Sequence, residues 1–407
     1  MLRISLNSQI FYGALFGIAL GLFLSQFGSN YSDEGIYAAG IVGNIFIDLL
    51  KLVLVPLVFT SIVVGIINLR EIKKMHYVWG SLLAFSLFTS TLSVLIGISA
   101  SNIFGPGKGL HIQAFEAAMQ GFNAMHMSFP DFFEKFLNGI LMNPILAMSQ
   151  GNVLAIVFFA VFVGVAIIAS GDRFTMVTTF LQELFELTMV LVNWVMRLAP
   201  IGVMALLTKL VATESVSLLG SLAKFVFIVL GTTLFHGIVI LPLVLYLIVG
   251  ISPIRFWSGA RSALITAFST SSSSATMPVT MRCLEKDLGV SKNITGFVVP
   301  LGSHLNMDGT ALYEAAAALF VSNLVGVELS IIQQIMVCLT AMIVSIGAPG
   351  IPSAGMVTMV MVLQSVGLPA EAVAILLPVD RLLDTVRTAV NVEGDMVASL
   401  VVQKLSR

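Results

Sequence analysis

Charge is scarce in this chain. Of 407 residues only 10% are Asp, Glu, Lys or Arg, against 57% hydrophobic residues and a mean hydropathy of +1.01, which places it among polytopic membrane proteins. Cysteine is nearly absent. Cys283 and Cys338 stand at no metal-ligand spacing and form no disulfide framework, so they read as small residues packed among helices. The net charge is −1 and the basic residues are scattered, which leaves no nucleic-acid footprint. No cleavable small-residue site follows the first apolar run, which begins near Ile10; that run reads as a retained span and not as a signal peptide.

What is there is a succession of long apolar segments, near 9–28, 37–67, 77–104, 152–170, 174–208 and 220–250, each read as an ordinary transmembrane helix. The loops sort by charge. Arg3, then Arg70, Lys73 and Lys74, then Arg173, then Arg255 and Arg261 alternate in side with Asp33 and Glu34, and the positive-inside rule puts both termini in the cytoplasm. Residues 105–151, with GPGKG, SFPD and Asn143-Pro144, are expected to be broken and partly extracellular.

After Pro253 the hydrophobic segments become too short to cross. FWSGARSALITAFSTSSSSATMPVTMRCLEK has Arg255 and Arg261 before its apolar part and Arg282, Lys286 and Lys292 after it, so it enters and returns on the same side. TGFVVPLGSHLNMDGTALYEAAAALFVSN could span but is interrupted by Pro300, Gly302 and Gly309 around Asp308. A second re-entrant segment follows, with Gly347, Pro349, Gly350, Pro352 and Gly355 at its tip, and then a final helix. A small-residue hairpin followed by an interrupted or polar helix carrying Asp thus occurs twice, starting from opposite sides of the membrane. Paired interrupted segments point to a binding site near the midplane, because exposed backbone at that depth survives only where it lines a cavity or holds a ligand.

The final helix carries the densest polar pattern. At roughly 100° per residue, Asp380, Asp384, Arg387, Thr388, Asn391 and Asp395 fall within an arc of about 100°. Each charge costs roughly 2.5–3.5 kcal/mol to place in a membrane, so the stripe is expected to serve a ligand that itself carries both signs. Asp384 and Arg387 can equally form a structural i,i+3 ion pair. In the functional reading the guanidinium takes a carboxylate bidentately and Asp384 takes an ammonium, with hydroxyls from Thr310 and Thr388 and the amide of Asn391.

SSSSATMPVT, NMDGTALYEA, GAPGIPSAG and DTVRTAVNVEGD, in that order, resemble the dicarboxylate/amino acid:cation symporter family, which includes the excitatory amino acid transporters and prokaryotic glutamate-aspartate transporters. The likeness covers nearly the whole chain and is closest over 250–400. It implies that Ser272 and Ser273 contact the substrate α-carboxylate, where half-helix N-termini add their dipoles. It assigns one sodium site to Gly302, Asn306, Asn391 and Asp395; a second to Asp308 and Asn306 with Thr89 and Ser90; and a third to backbone at His304, Ser345, Ile346 and Ala348. The second hairpin would gate the substrate, lined by Ile351 and Gly355. Neutral amino acid relatives lose the counterpart of Arg387 and dicarboxylate relatives that of Asp384; both are present here. Relatives place a second arginine in the serine hairpin or two residues before Arg387, where this chain has Ser271 and Thr385. Arg381, at the edge of the stripe, is the candidate substitute.

Glu314 lies in an otherwise apolar run, and burial there disfavours its charged form. It can be permanently paired, or it can carry a proton. The resemblance favours the second, since proton-coupled animal relatives have glutamate at this position. A serine nucleophile with His304 as base is set aside, because there is no Gly-x-Ser-x-Gly elbow.

These readings define an all-α polytopic membrane protein of eight transmembrane helices and two re-entrant helical hairpins arranged as inverted repeats. The expected division is 1–76 scaffold, 77–104 transport domain, 105–212 scaffold and 213–407 transport domain. The expected function is not enzymatic: sodium-coupled and proton-coupled uptake of glutamate or aspartate by an elevator movement, in a homotrimer in the plasma or inner membrane, surrounded by lipid and without organic cofactor. The alternatives are a neutral amino acid or C4-dicarboxylate carrier, or an anion-conducting pore.

Overall fold

The computed structural model describes residues 6–26, 30–67, 76–110, 141–150, 153–213, 216–346, 350 and 354–406. Arg3, Arg70, Lys73, Lys74, residues 111–140, Gly347, Ala348, Pro349, Ile351, Pro352 and Arg407 lie outside the described residues. Among those described, every regular element is helical.

The first elements are α1 (Leu6–Gln26), α2 (Asn30–Ile67) and α3 (His76–Phe104). After residue 140 come α4 (Pro144–Gln150), α5 (Val153–Ala169), α6 (Thr175–Arg197), α7 (Ala199–Thr213) and α8 (Val216–Phe235). The Asn143 side-chain oxygen starts α4 by accepting from the Ile145 N–H at 2.9 Å, as an N-cap does. A π-helical turn, His236–Ile240, joins α8 to α9 (Leu241–Val249). The remaining helices are α10 (Pro253–Thr270), α11 (Ser273–Lys286), α12 (Lys292–Leu305), α13 (Asp308–Leu324), α14 (Ile331–Ile346), α15 (Ala354–Ser365) and α16 (Val373–Leu405).

Five stretches among the described residues are long and apolar enough to cross a membrane: Ser8–Ser25, Asp33–Ile67, Val78–Phe104, Gly171–Arg197 and Ser217–Val249. The protein is therefore a multi-pass membrane protein. One expectation is corrected: the segment 174–208 is two helices and not one. Pro200 has no N–H to give and fits best in the first turn of a helix. The chain accordingly leaves α6 at Leu198 and restarts, with the Ile201 and Gly202 N–H groups both donating to the Leu198 carbonyl at 3.0 and 2.9 Å.

Two helices sit at the centre. Every residue of α13 except Asn323 is buried, packed among α3, α8, α14, α15 and α16. The long α16 touches α3 and α8 to α13, and all of Val390–Leu400 is buried. Helices buried on all sides hold their polar residues away from lipid.

Elsewhere the fold depends on small residues. Helix α1 lies along α7 through Gly13, Gly17 and Gly21. A Cβ at Gly21 would stand 2.7 Å from the Val211 Cβ and 2.8 Å from the Thr208 carbonyl oxygen, so backbone contact replaces side-chain packing, as small residues allow between membrane helices. Gly21→Leu is expected to cost about 1–3 kcal/mol by overpacking and to lower the thermal midpoint in detergent. Gly80→Leu, at a site with nothing within 4 Å, is expected to leave it unchanged.

Candidate functional site

The site is built from two interruptions of helix, the Gly350 carbonyl and one continuous helix. Between α10 and α11 the chain turns on Ser271, whose φ of 50° makes it the one non-glycine residue of positive φ among those described. Its N–H closes α10 on the Ala267 carbonyl at 2.8 Å, and Ser272 then caps α11 by accepting from the Ala275 N–H at 3.1 Å. The Ser272 hydroxyl donates to the Gly350 carbonyl at 2.7 Å, and the Ser274 N–H donates to the same oxygen at 3.1 Å. The serine turn thus touches the segment between α14 and α15. A Cβ at Gly350 would lie 2.8 Å from the Ser274 hydroxyl, so only glycine permits this approach.

The second interruption is at Asn306 and Met307, between α12 and α13. Pro300 and Gly302, expected to break the segment, remain inside α12. The break puts Asp308 at the first position of α13 with no exposed surface, where the helix dipole favours a negative charge. Helix α3 supplies its partners. The Ser90 hydroxyl donates to Asp308 Oδ1 at 2.6 Å, the Ser93 hydroxyl to the Asp308 carbonyl at 2.9 Å, and the Thr89 hydroxyl to Asn306 Oδ1 at 3.3 Å.

The continuous element is α16. All six residues of the polar stripe are buried, with Arg387 only 1% exposed. Its Nη2 lies 2.7 Å from Asp384 Oδ1 and 3.0 Å from Asp380 Oδ1; the guanidinium rests over the Tyr313 ring, 4.1 Å from its centroid. The ion pair of Asp384 with Arg387 is thus present. Arg387 Nε and Nη1 are buried with no hydrogen-bond partner among the described residues. Arg381 Nη1 stands 3.5 Å from the other Asp384 oxygen, so Asp384 lies between two arginines. Gly355 backs onto the cluster: a Cβ there would lie 3.3 Å from Arg387 Nη2 and 3.3 Å from the Thr310 methyl.

One turn further on, Asn391 ties α16 to the break. Its Oδ1 accepts from the Gly309 N–H at 2.8 Å and its Nδ2 donates to Thr310 Oγ1 at 3.1 Å. Asp395 faces Gly302, where an added Cβ would lie 3.0 Å from the carboxyl carbon. Asn306 links Asp395 to Asp308: a Cβ at Gly394, next to Asp395, would lie 3.3 Å from the Asn306 amide carbon, and Asp308 follows Asn306 by two residues. Two buried carboxylates, amide oxygens and hydroxyls in one region form the oxygen set that a hard monovalent cation takes.

Of the remaining residues singled out by sequence, Thr388 is buried and His304 is half-buried at the end of α12. Ser345 is buried with its hydroxyl on the Met342 carbonyl at 3.0 Å, and Ile346 is the last residue of α14. Ser272 and Ser273 belong to the tip contact with Gly350 and not to the arginine cluster. Glu314 has no exposed surface and meets the Thr358 hydroxyl, while its second oxygen has no partner among the described residues.

Three participants carried no weight in the sequence reading. His236 Nε2 lies 3.0 Å from Asp308 Oδ2 with both groups fully buried. Thr358 meets Glu314. Trp257 Nε1 donates to the buried Glu393 at 3.0 Å. A signal existed for the first: His236 is an ionisable residue inside a span, which by itself marks a site.

Broken helices beside a buried two-sign cluster inside a multi-pass membrane protein define the architecture of a carrier with its site at membrane depth. The chain belongs to the sodium:dicarboxylate symporter family, whose model matches residues 6–405. It is 34% identical to a proton/sodium-glutamate symport protein of Bacillus caldotenax, over 99% of this chain and 95% of that protein. It is 33% identical to the proton/glutamate-aspartate symporter of Escherichia coli (strain K12), over 99% and 93%. It is 44% identical to mouse excitatory amino acid transporter 3 over 257 residues, 63% of this chain and 49% of that protein.

The arginine cluster generates a stability prediction. Arg387→Met leaves Asp380 and Asp384 buried without their shared cation, which costs roughly 3–5 kcal/mol. The thermal midpoint is expected to fall, and adding Asp380→Asn in the same chain to recover part of it. A midpoint equal to the parent's in Arg387→Met would show that the carboxylates are neutralised elsewhere.

Proposed function

We propose that this protein carries acidic amino acids across the membrane together with sodium and a proton. The observation that supports this most is Arg387: a fully buried guanidinium that leans on carboxylates of its own helix through one nitrogen and keeps two others without partners among the described residues. A substrate side-chain carboxylate can take Nη1 together with Nη2 bidentately, while Asp384, displaced from Nη2 and still beside Arg381, takes the ammonium. Ser272 and Ser273 receive the α-carboxylate at the start of α11, and Thr310, Thr388 and Asn391 complete the site. The relatives named as glutamate and glutamate-aspartate symporters support the same substrate class.

Sodium is the driving ion in this reading, held as cargo by Asp308, Asn306, Thr89 and Ser90 and by Gly302, Asn306, Asn391 and Asp395, with a further site at backbone of His304, Ser345, Ile346 and Ala348. The chain makes eight spans and two re-entrant hairpins, α10–α11 and α14–α15, the second opening as a gate at Ile351 and Gly355. Segments 77–104 and 213–407 move as a transport domain against a scaffold of 1–76 and 105–212, in a homotrimer with cytoplasmic termini. Purified protein in liposomes is expected to concentrate labelled aspartate or glutamate under an inward sodium gradient. Arg387→Cys is expected to lose acidic substrates by several kcal/mol and neutral ones by little, since the loss is confined to the pair that reads the side-chain charge. Parental aspartate uptake in that variant, with serine no better, would refute the assignment.

Glu314 carries the proton. The Thr358 hydroxyl has one hydrogen and faces both Glu314 and the Gly355 carbonyl, the latter at 3.2 Å. When that hydrogen goes to the carbonyl, which can only accept, Glu314 must supply the other, and a neutral carboxylic acid does so. Loading is thereby coupled to α15, half of the gating hairpin. Substrate-driven acidification of the liposome interior is expected for the parent and not for Glu314→Gln; equal acidification in both would assign the proton elsewhere.

A further inference from the structure

We propose that His236 is a positioning residue for the cation at Asp308: its Nε2–H fixes one carboxylate oxygen and so aims the other, together with the Ser90 hydroxyl, at the ion. The inference rests on the reading of Asp308 as a sodium ligand.

The geometry is a carboxylate held at both oxygens, on a residue whose backbone is held at a third point. Ser90 meets Oδ1 at 2.6 Å, His236 meets Oδ2 at 3.0 Å, and Ser93 holds the backbone carbonyl at 2.9 Å. An ionised carboxylate only accepts, so the imidazole presents its hydrogen at Nε2. Each carboxylate oxygen keeps further lone pairs, so the two hydrogen bonds set its rotation without filling it. The α3 serines act from one side and His236 from another, on a residue that opens its helix and has no preceding turn to restrain it.

Among the described residues, Asp308 is the one hydrogen-bond partner of the His236 ring. The ring has no exposed surface, and Nδ1 is buried with no partner among the described residues. A histidine kept for general core packing would satisfy both nitrogens or be replaced by an apolar ring; this one leaves a polar atom unmet in order to make a single bond. The backbone is shaped for that bond. His236 begins the π-helical turn between α8 and α9, and such a one-residue insertion re-aims the side chains at its start. The next residue locks the turn against α16: a Cβ at Gly237 would lie 2.9 Å from a Val390 methyl and 3.0 Å from Glu393 Oε2. The turn is thus seated on the helix that carries Asp395 while it directs His236 to Asp308.

Hydrogen-bond partners of metal ligands change affinity by roughly 10–100-fold when removed, and the test compares donors of similar reach. Sodium-dependent thermal stabilisation of the detergent-purified, substrate-free protein is measured against choline chloride, followed by substrate KM at saturating sodium. His236→Phe, which fills the space without a donor, is expected to need about tenfold more sodium for half-maximal stabilisation, with KM within about twofold of the parent's. His236→Gln, which can present an N–H at similar reach, is expected to stay within about threefold of the parent in sodium. His236→Met serves as the apolar variant if Phe does not fold. Asp308→Asn is the control. If Asp308→Asn shifts the sodium dependence and the apolar variants do not, or if Gln shifts it as far as they do, the role of His236 is overturned while the sodium reading stands. If Asp308→Asn leaves sodium dependence at the parental value, the sodium reading fails and this inference with it.

Discussion

A guanidinium with 1% of its surface exposed must be neutralised where it stands, and Arg387 is neutralised by its own helix. Asp384 and Asp380 lie one and two turns of chain before it on the same face, so the whole cluster is contained within α16. The surrounding protein then has only to exclude water and to bring Tyr313, Gly355 and Thr310 against it. This explains why α16 is central. A charge cluster that is closed within one helix can be buried deeply without depending on the exact docking of a neighbour, whereas the same ions split between two helices would penalise every displacement between them.

The interrupted segments solve a different problem. Free backbone N–H and carbonyl groups inside a membrane are tolerated only where something answers them. At the serine turn the answer is a side-chain cap and the Gly350 carbonyl; at Asn306–Met307 it is Asn391, Ser93 and the N-terminal position of Asp308. Both breaks are therefore paired with groups on other elements, and the positions of the helix ends report where those elements must stay.

Most of the architecture was legible from the residues because membrane insertion makes the code severe. Apolar length and charge scarcity gave the all-helical multi-pass class, and four motifs in order gave the family, since glycines, prolines and hydroxyls at membrane depth have few structural excuses. The stripe on α16 was readable because six polar residues at helical spacing announce a face. What was not readable depended on pairing across the chain. Pro200 divides an apolar segment whose hydropathy shows no gap. His236 lay in a span that looked ordinary, and its importance appears only when a π-helical turn brings it to a carboxylate 72 positions later. Nor could spacing decide whether Asp384 and Arg387 pair with each other; the alternative was named, and the present arrangement has them paired.

The contact between the serine turn and Gly350 has a consequence for energetics. The Ser272 hydroxyl possesses one hydrogen, and here it is spent on the Gly350 carbonyl. Any other acceptor that claims this hydrogen does not add a bond to the molecule; it exchanges one acceptor for another and leaves the Ser274 N–H alone on the Gly350 carbonyl. The Ser272 part of this contact and any other bond from that hydroxyl therefore compete for a single proton, so that strengthening one weakens the other.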